Sequence, residues 1–185
     1  MRPDFGRNGT IRARKRFGQH FLTDQGVISR IHDAISVQQD DRVIEIGPGR
    51  GVLTDRLSKA TTNLTLIELD RDLATLLRKR FPDTDLRSID VLDVPLETFA
   101  EHRVVGNLPY NISTPLLIRL FKEPRIVDMH FMLQREVALR LAASPGEKAW
   151  GRLSVMAQYR CLIEPLFDVP AHSFRPVPKV ESMFV

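Results

Sequence analysis

Between Arg42 and Leu133, short apolar and β-branched runs alternate with stretches whose apolar residues recur at helical spacing. The first run, Arg42-Val-Ile-Glu-Ile46, ends at Gly47 and leads into a segment with Leu53 and Leu57 one turn apart. Leu64-Thr-Leu-Ile67 reads as a second strand, and Asp70 as the cap of a helix whose Leu73, Leu76 and Leu77 face inward and which stops before Pro82. Strands over 86–89 and 103–105 follow. Thr114-Pro115 then reads as an N-cap with proline at the first helical position, opening a helix that carries Leu116, Leu117, Leu120 and Phe121, and a strand over 128–133 comes next. Ahead of all these, Asp24 to Val37 spaces apolar residues at 27, 28, 31, 34 and 35, as a first helix would. Parallel strands need crossover helices. The alternation therefore predicts an α/β fold with a mostly parallel, doubly wound sheet and helices on both faces.

Two features near the end depart from that rhythm. Phe174-Arg-Pro-Val-Pro-Lys-Val180 breaks the periodicity, and the apolar Met183-Phe184-Val185 stops at the last residue. A strand with no turn or polar tail after it reads as belonging to a piece of a longer chain. The expected organisation is a basic arm over residues 1–23 and a single domain over 24–185.

Composition narrows the classes of function. No apolar run approaches the roughly 18 residues of a membrane span, and the N-terminus lacks the apolar middle of a signal peptide, so a cytoplasmic, monomeric protein is expected. Cys161 is the single cysteine and lies between Arg160 and the apolar Leu162-Ile163 pair, which suggests a buried structural thiol. His20, His32, His102, His130 and His172 are scattered with no i, i+4 pair, so no metal site is indicated. The net charge of +4 suits a polyanionic partner. Most telling is the stretch from Met1 to Arg16, where Arg2, Arg7, Arg12, Arg14, Lys15 and Arg16 face one acid, Asp4. That stretch fits contact with nucleic-acid phosphates, and equally a solvated tail.

In open α/β sheets, ligands bind beyond the carboxyl ends of the strands, so the residues just after each strand are the candidates. After the first strand, Glu45-Ile-Gly-Pro-Gly-Arg-Gly51 places glycines where the chain turns tightly and a ligand can approach the backbone. Val52 breaks the dinucleotide fingerprint, and no phosphate-binding loop motif is present. Glu68 follows the second strand and could accept hydrogen bonds from both hydroxyls of a ribose. Asp90 follows the third and could accept from an adenine amino group. Either acid alone could equally cap a helix. Together with the glycine turn they suit S-adenosylmethionine, which offers adenosine edges but no diphosphate.

The fourth strand leads into Gly106-Asn107-Leu108-Pro109-Tyr110. An adenine amino nitrogen is a poor nucleophile because its lone pair is delocalised into the ring. Two acceptors aimed at its hydrogens favour a pyramidal nitrogen and free that pair. The Asn107 side-chain carbonyl and the Leu108 backbone carbonyl can supply them, since Pro109 bars helix at that point. Tyr110 offers a ring on which a base can stack. A base inside a duplex could not reach such a turn, so the target is single-stranded, in a loop, or flipped.

The motifs Arg14-Lys-Arg-Phe-Gly-Gln-His-Phe-Leu22, Glu45-Ile-Gly-Pro-Gly49, Glu68-Leu-Asp70, Gly106-Asn-Leu-Pro-Tyr-Asn-Ile-Ser-Thr-Pro115, Met132-Leu-Gln-Arg-Glu-Val137, Gly151-Arg-Leu-Ser-Val-Met-Ala-Gln158 and Phe174-Arg-Pro-Val-Pro-Lys-Val180 occur in order from about Ala13 to the end. In this the chain resembles the small-subunit ribosomal RNA adenine dimethyltransferases. The resemblance implies a Rossmann-like class I methyltransferase domain that uses S-adenosylmethionine. It implies dimethylation of N6 on two adjacent adenosines in a hairpin loop near the 3′ end of 16S ribosomal RNA, with the 30S particle as partner. It places cofactor contacts on His20, Leu22, Gly47, Gly49, Glu68, Asp90 and Asn107, and catalysis on Asn107, Leu108, Pro109 and Tyr110. Substrate contacts are implied at Tyr110, Phe174 and the basic Arg14, Lys15 and Arg16. His20 stands where the family usually has asparagine, and the family's helical C-terminal domain has no counterpart in this sequence.

Three other readings stay open. Antibiotic-resistance methylases that act on one adenine of 23S RNA have a similar domain, although Pro48, Leu108 and Gln134-Arg-Glu-Val137 look more like the small-subunit enzymes. A non-catalytic RNA-binding or assembly factor is a second, and a nicotinamide dehydrogenase a third.

Overall fold

The computed structural model describes residues 18–185. The elements run β1 (Phe21–Leu22), α1 (Gln25–Ile35), β2 (Val43–Ile46), α2 (Thr54–Ala60), β3 (Leu64–Ile67), α3 (Arg71–Arg80), β4 (Asp85–Arg87), β5 (Arg103–Asn107), α4 (Ser113–Leu120), β6 (Asp128–Gln134), α5 (Arg135–Ala142), α6 (Arg152–Gln158), β7 (Phe167–Val169), β8 (Phe174–Arg175) and β9 (Ser182–Phe184). The main sheet has the order β4-β3-β2-β5-β6-β9-β7. Strands β4 to β6 are parallel, while β9 runs antiparallel to both β6 and β7.

Strand β2 lies inside the sheet, with Val43 opposite Leu64 on one side and Arg103 on the other. Its residues are all buried, and they alternate between two cores. Ile44 and Ile46 join Leu116, Leu120, Phe131 and Leu141 on one face. Val43 joins Ile31, Ile35, Leu57 and Leu66 on the other. Both faces being covered is what a strand with β-branched apolar residues pointing both ways requires. The crossovers turn one way from β2 to β3 and the other way to β5, which opens a crevice between the carboxyl ends of β2 and β5.

Caps set the helix starts. The Asp24 carboxylate accepts from Val27 N at 3.1 Å and starts α1, and Asp70 accepts from Asp72 N at 3.0 Å to start α3, as the sequence suggested. The helix after β5 differs from expectation. Ile112 N and Ser113 N both donate to Pro109 O, at 3.1 and 3.2 Å, so the turn winds straight into α4 and Thr114 does not cap it. Pro115 is tolerated as the third helical residue, because the first four N–H groups have no partner within the helix. Strand β4 ends at Arg87 rather than at 89, where the chain leaves the sheet toward a 3-10 turn over Val91–Asp93 that Asp90 caps.

Residues 18–22, read with the arm, form part of the domain. Phe21 and Leu22 are buried, and β1 pairs antiparallel with β8. The basic residues from Arg2 to Arg16 lie outside the described residues. Cys161 is half-buried rather than buried, and burial raises its thiol pKa above the ordinary value, as befits a packed rather than a nucleophilic cysteine. No described helix is long and apolar enough to cross a membrane.

Candidate active site at the sheet crevice

The turn after β2 is built on positive φ angles, 64° at Gly47, 58° at Gly49 and 78° at Gly51. A Cβ at Gly51 would lie 2.8 Å from the Phe81 ring, so only glycine fits where this turn passes the end of α3. The turn delivers the backbone N–H of Gly49 to Glu68 Oε2 at 3.1 Å. The other carboxylate oxygen accepts from Asp70 N at 2.9 Å. The Leu69 backbone N–H also acts on this carboxylate, and the acceptor capacity that remains suits a ribose hydroxyl of a ligand.

Glu68 is 6% exposed, and burial pushes its carboxyl up to about 7 against the pull of those N–H donors. A second acid borders the same crevice. Glu45, in the middle of β2, accepts a 2.6 Å hydrogen bond from Thr54 Oγ1, and burial raises its pKa to about 8, with the Glu68 charge adding to the rise. Two acids this buried are costly as anions and suit a cationic ligand. The residues present therefore fit S-adenosylmethionine, with a hydroxyl acceptor at Glu68, a glycine cradle at residues 47–51 and two buried carboxyls that a cationic ligand would favour as anions. Asp90 accepts from Leu92 N at 2.9 Å through one oxygen, leaving the other toward the crevice.

Across the opening lies the turn that ends β5. Asn107 Nδ2 donates to the backbone carbonyl of His20 at 3.1 Å. A carbonyl only accepts, so the amide nitrogen is fixed on His20 and Oδ1 is the atom left for a ligand. Leu108 N donates to Met132 O at 3.3 Å, which anchors the turn to β6, while the Leu108 carbonyl accepts no hydrogen bond from any described residue. Tyr110 is half-buried, its hydroxyl 2.8 Å from Ser182 Oγ, and burial raises its pKa above the ordinary phenol value. Its ring stacks on that of His20, with centroids 5.7 Å apart and planes at 25°.

All the cofactor candidates (His20, Leu22, Gly47, Gly49, Glu68, Asp90 and Asn107) border this one crevice, and so do Leu108, Pro109 and Tyr110. Phe174 does not. Its ring is 1% exposed and packs with Leu22, its partner across β1 and β8, so a contact with a base would require the ring to leave the core. Arg14, Lys15 and Arg16 lie outside the described residues. Sequence reasoning noticed Glu45 only as part of a motif. The available signal was an acid inside a β-branched strand buried on both sides, where a charge is held only if something answers it. Gln19 was also missed; its amide donates to Asp70 Oδ2 at 3.2 Å and ties the entry segment to the start of α3.

The family model for ribosomal RNA adenine dimethylase matches residues 10–185. Among curated proteins, the ribosomal RNA small subunit methyltransferase A of Chromohalobacter salexigens is 54% identical over 94% of this chain and 66% of its own length. The protein of the same name from Nitrosococcus oceani is 55% identical over 94% of this chain and 69% of its own. This chain thus spans about two thirds of the length of these relatives. Among solved structures, a dimethyladenosine transferase from Plasmodium falciparum superposes with a TM-score of 0.81 at 28% identity, covering 89% of this chain and 62% of that one. The 23S rRNA methyltransferase ErmE superposes at 0.75 with 29% identity, covering 89% and 67%. The fold is the class I methyltransferase fold, with its parallel sheet and terminal antiparallel pair.

Proposed function

This chain belongs to the ribosomal RNA adenine dimethylase family, and from that premise we propose that it dimethylates N6 of two adjacent adenosines in a hairpin loop near the 3′ end of 16S ribosomal RNA, using S-adenosylmethionine, in the cytoplasm. The observation that carries the reading is the Asn107 amide held on the His20 carbonyl, which leaves Asn107 Oδ1 beside the unbonded Leu108 carbonyl. Both oxygens accept hydrogen bonds from the adenine amino group, and together they draw its nitrogen out of conjugation. Pro109 keeps the Leu108 carbonyl from being spent in a helix. Tyr110 supplies the stacking surface that orients the base.

The cofactor supplies an activated methyl group on a sulfonium. Glu68 accepts from a ribose hydroxyl, Asp90 faces the adenine edge, and the glycine turn lets the ligand lie against the backbone. Asn107 and Leu108 also stabilise the positive charge that grows on the amino nitrogen, so no strong base is needed in the transfer step. Alignment supplies much of the rest.

Substrate choice is tested by methylating purified 30S particles and intact 23S RNA in parallel with a labelled cofactor. Label entering the small-subunit RNA is expected. Label in 23S RNA alone would overturn the assignment, and cofactor binding with no transfer to either would mark a non-catalytic RNA-binding factor.

A further inference from the structure

Three contacts converge on His20. Its backbone carbonyl holds the Asn107 amide at 3.1 Å, its ring lies on Tyr110 at 5.7 Å between centroids, and its Nδ1 sits 2.7 Å from the Pro176 carbonyl. Because that carbonyl can only accept, Nδ1 carries the proton. The neighbouring Phe21 and Leu22 pair with Arg175 and Phe174, so the same short segment is stitched to the loop that includes Pro176. His20 thereby joins the acceptor turn at 107–110 to the segment at 174–176.

Tyr110 is held at both ends, by its own backbone and by the hydroxyl contact with Ser182 Oγ at 2.8 Å. A ring fixed at both ends keeps one freedom, rotation about the axis joining them. A second ring lying on its face removes that freedom. We propose that the His20 imidazole is a positioning residue for the acceptor base: it sets the plane of the Tyr110 ring, and hence the tilt of a base stacked there. This rests on the reading of Tyr110 as the base platform. The ring contact does not depend on which RNA is methylated.

The test compares His20→Ala, His20→Phe, Tyr110→Ala and the double His20→Ala/Tyr110→Ala variant in single-turnover transfer to 30S particles, with cofactor affinity measured separately by calorimetry. His20→Ala is expected to slow transfer by up to about tenfold at saturating cofactor. His20→Phe, which keeps the stacked ring without the Pro176 bond, is expected to recover most of that rate, and His20→Ala is expected to cost nothing further once Tyr110 is alanine. Additive losses, a phenylalanine variant as slow as the alanine one, or a wild-type rate in His20→Ala once cofactor is raised to saturation would each overturn the proposal. The Tyr110 ring resonances give a readout free of turnover: they are expected to move in His20→Ala and stay near their wild-type positions in His20→Phe, and resonances unmoved in His20→Ala would overturn the contact. A wild-type chain that binds cofactor but methylates no RNA would instead overturn the functional reading, with the resonances still deciding whether His20 orders Tyr110.

Discussion

Glu45 and Glu68 are held at pKa values of about 8 and about 7 by burial, well above the ordinary carboxyl range. A carboxyl whose pKa is raised on folding binds more protons folded than unfolded between the two values, so stability falls as pH rises through that window. The ligand-free protein is expected to lose thermal stability from about pH 5 to about pH 8, and Glu45→Gln to flatten that slope. A cationic ligand favours both acids as anions. Affinity for S-adenosylmethionine measured by calorimetry should therefore rise over the upper part of the window, more than affinity for its uncharged thioether product. Asn107→Ala removes one of the two acceptors aimed at the reacting amine. It should cut transfer by about 100-fold or more with the melting temperature nearly unchanged; undiminished activity would refute the role given to the side chain. The positions of Asn107, Glu68 and Asp90 at or beyond strand ends were legible in the sequence, although β4 stops two residues short of where it was read. The burial of Phe174 was not legible because a motif reports identity alone, and its place in the core comes from a pairing with β1 some 150 residues away, an order of separation that local patterns do not carry.

Strands β2 and β5 are packed so closely that a Cβ on Gly106 would meet the Ile46 carbonyl oxygen at 2.6 Å. Backbone cannot give way as a flexible side chain can. Gly106→Ala is expected to destabilise the protein by about 1–3 kcal/mol in chemical denaturation, and to disturb the crevice between the two strands as well. A neutral result would mean that the strands separate more easily than this register implies. Strands of four or more residues and helices with a full apolar stripe were readable because their periodicity extends over several side chains. Two-residue β1 and β8 have no period to read. Helix α4 was misplaced by two residues at its start because Thr114-Pro115 looks like a cap, whereas the Pro109 carbonyl had already gathered the N–H groups of Ile112 and Ser113.

At the scale of the molecule, the end of the sheet away from the crevice is tied by Arg103. Its guanidinium reaches Asp128 at 2.8 Å, Asp41 at 2.7 Å and the carbonyl of Ile35 at 2.7 Å, joining β5, β6, the end of α1 and the loop before β2. A backbone N–H from Gln38 and the Arg103 guanidinium hold Asp41 below its ordinary pKa. Burial alone would raise Asp128, but the nearby His130 ring and the hydrogen bonds from Arg103 outweigh it and lower that pKa too. Acids depressed in this way contribute stability that is present above the ordinary carboxyl pKa and is lost as pH falls through their folded values. Arg103→Met is expected to cost about 2 kcal/mol at neutral pH and less in acid, with the crevice at the opposite end keeping its cofactor affinity. The central claim is that this crevice and the Asn107–Tyr110 turn deliver methyl groups to an exocyclic adenine nitrogen. The most direct test is to incubate unmethylated 30S particles with the protein and labelled cofactor, digest the RNA, and identify the labelled nucleoside by mass spectrometry. N6,N6-dimethyladenosine is the predicted product; label confined to a ring nitrogen, a ribose hydroxyl or another base would contradict the account.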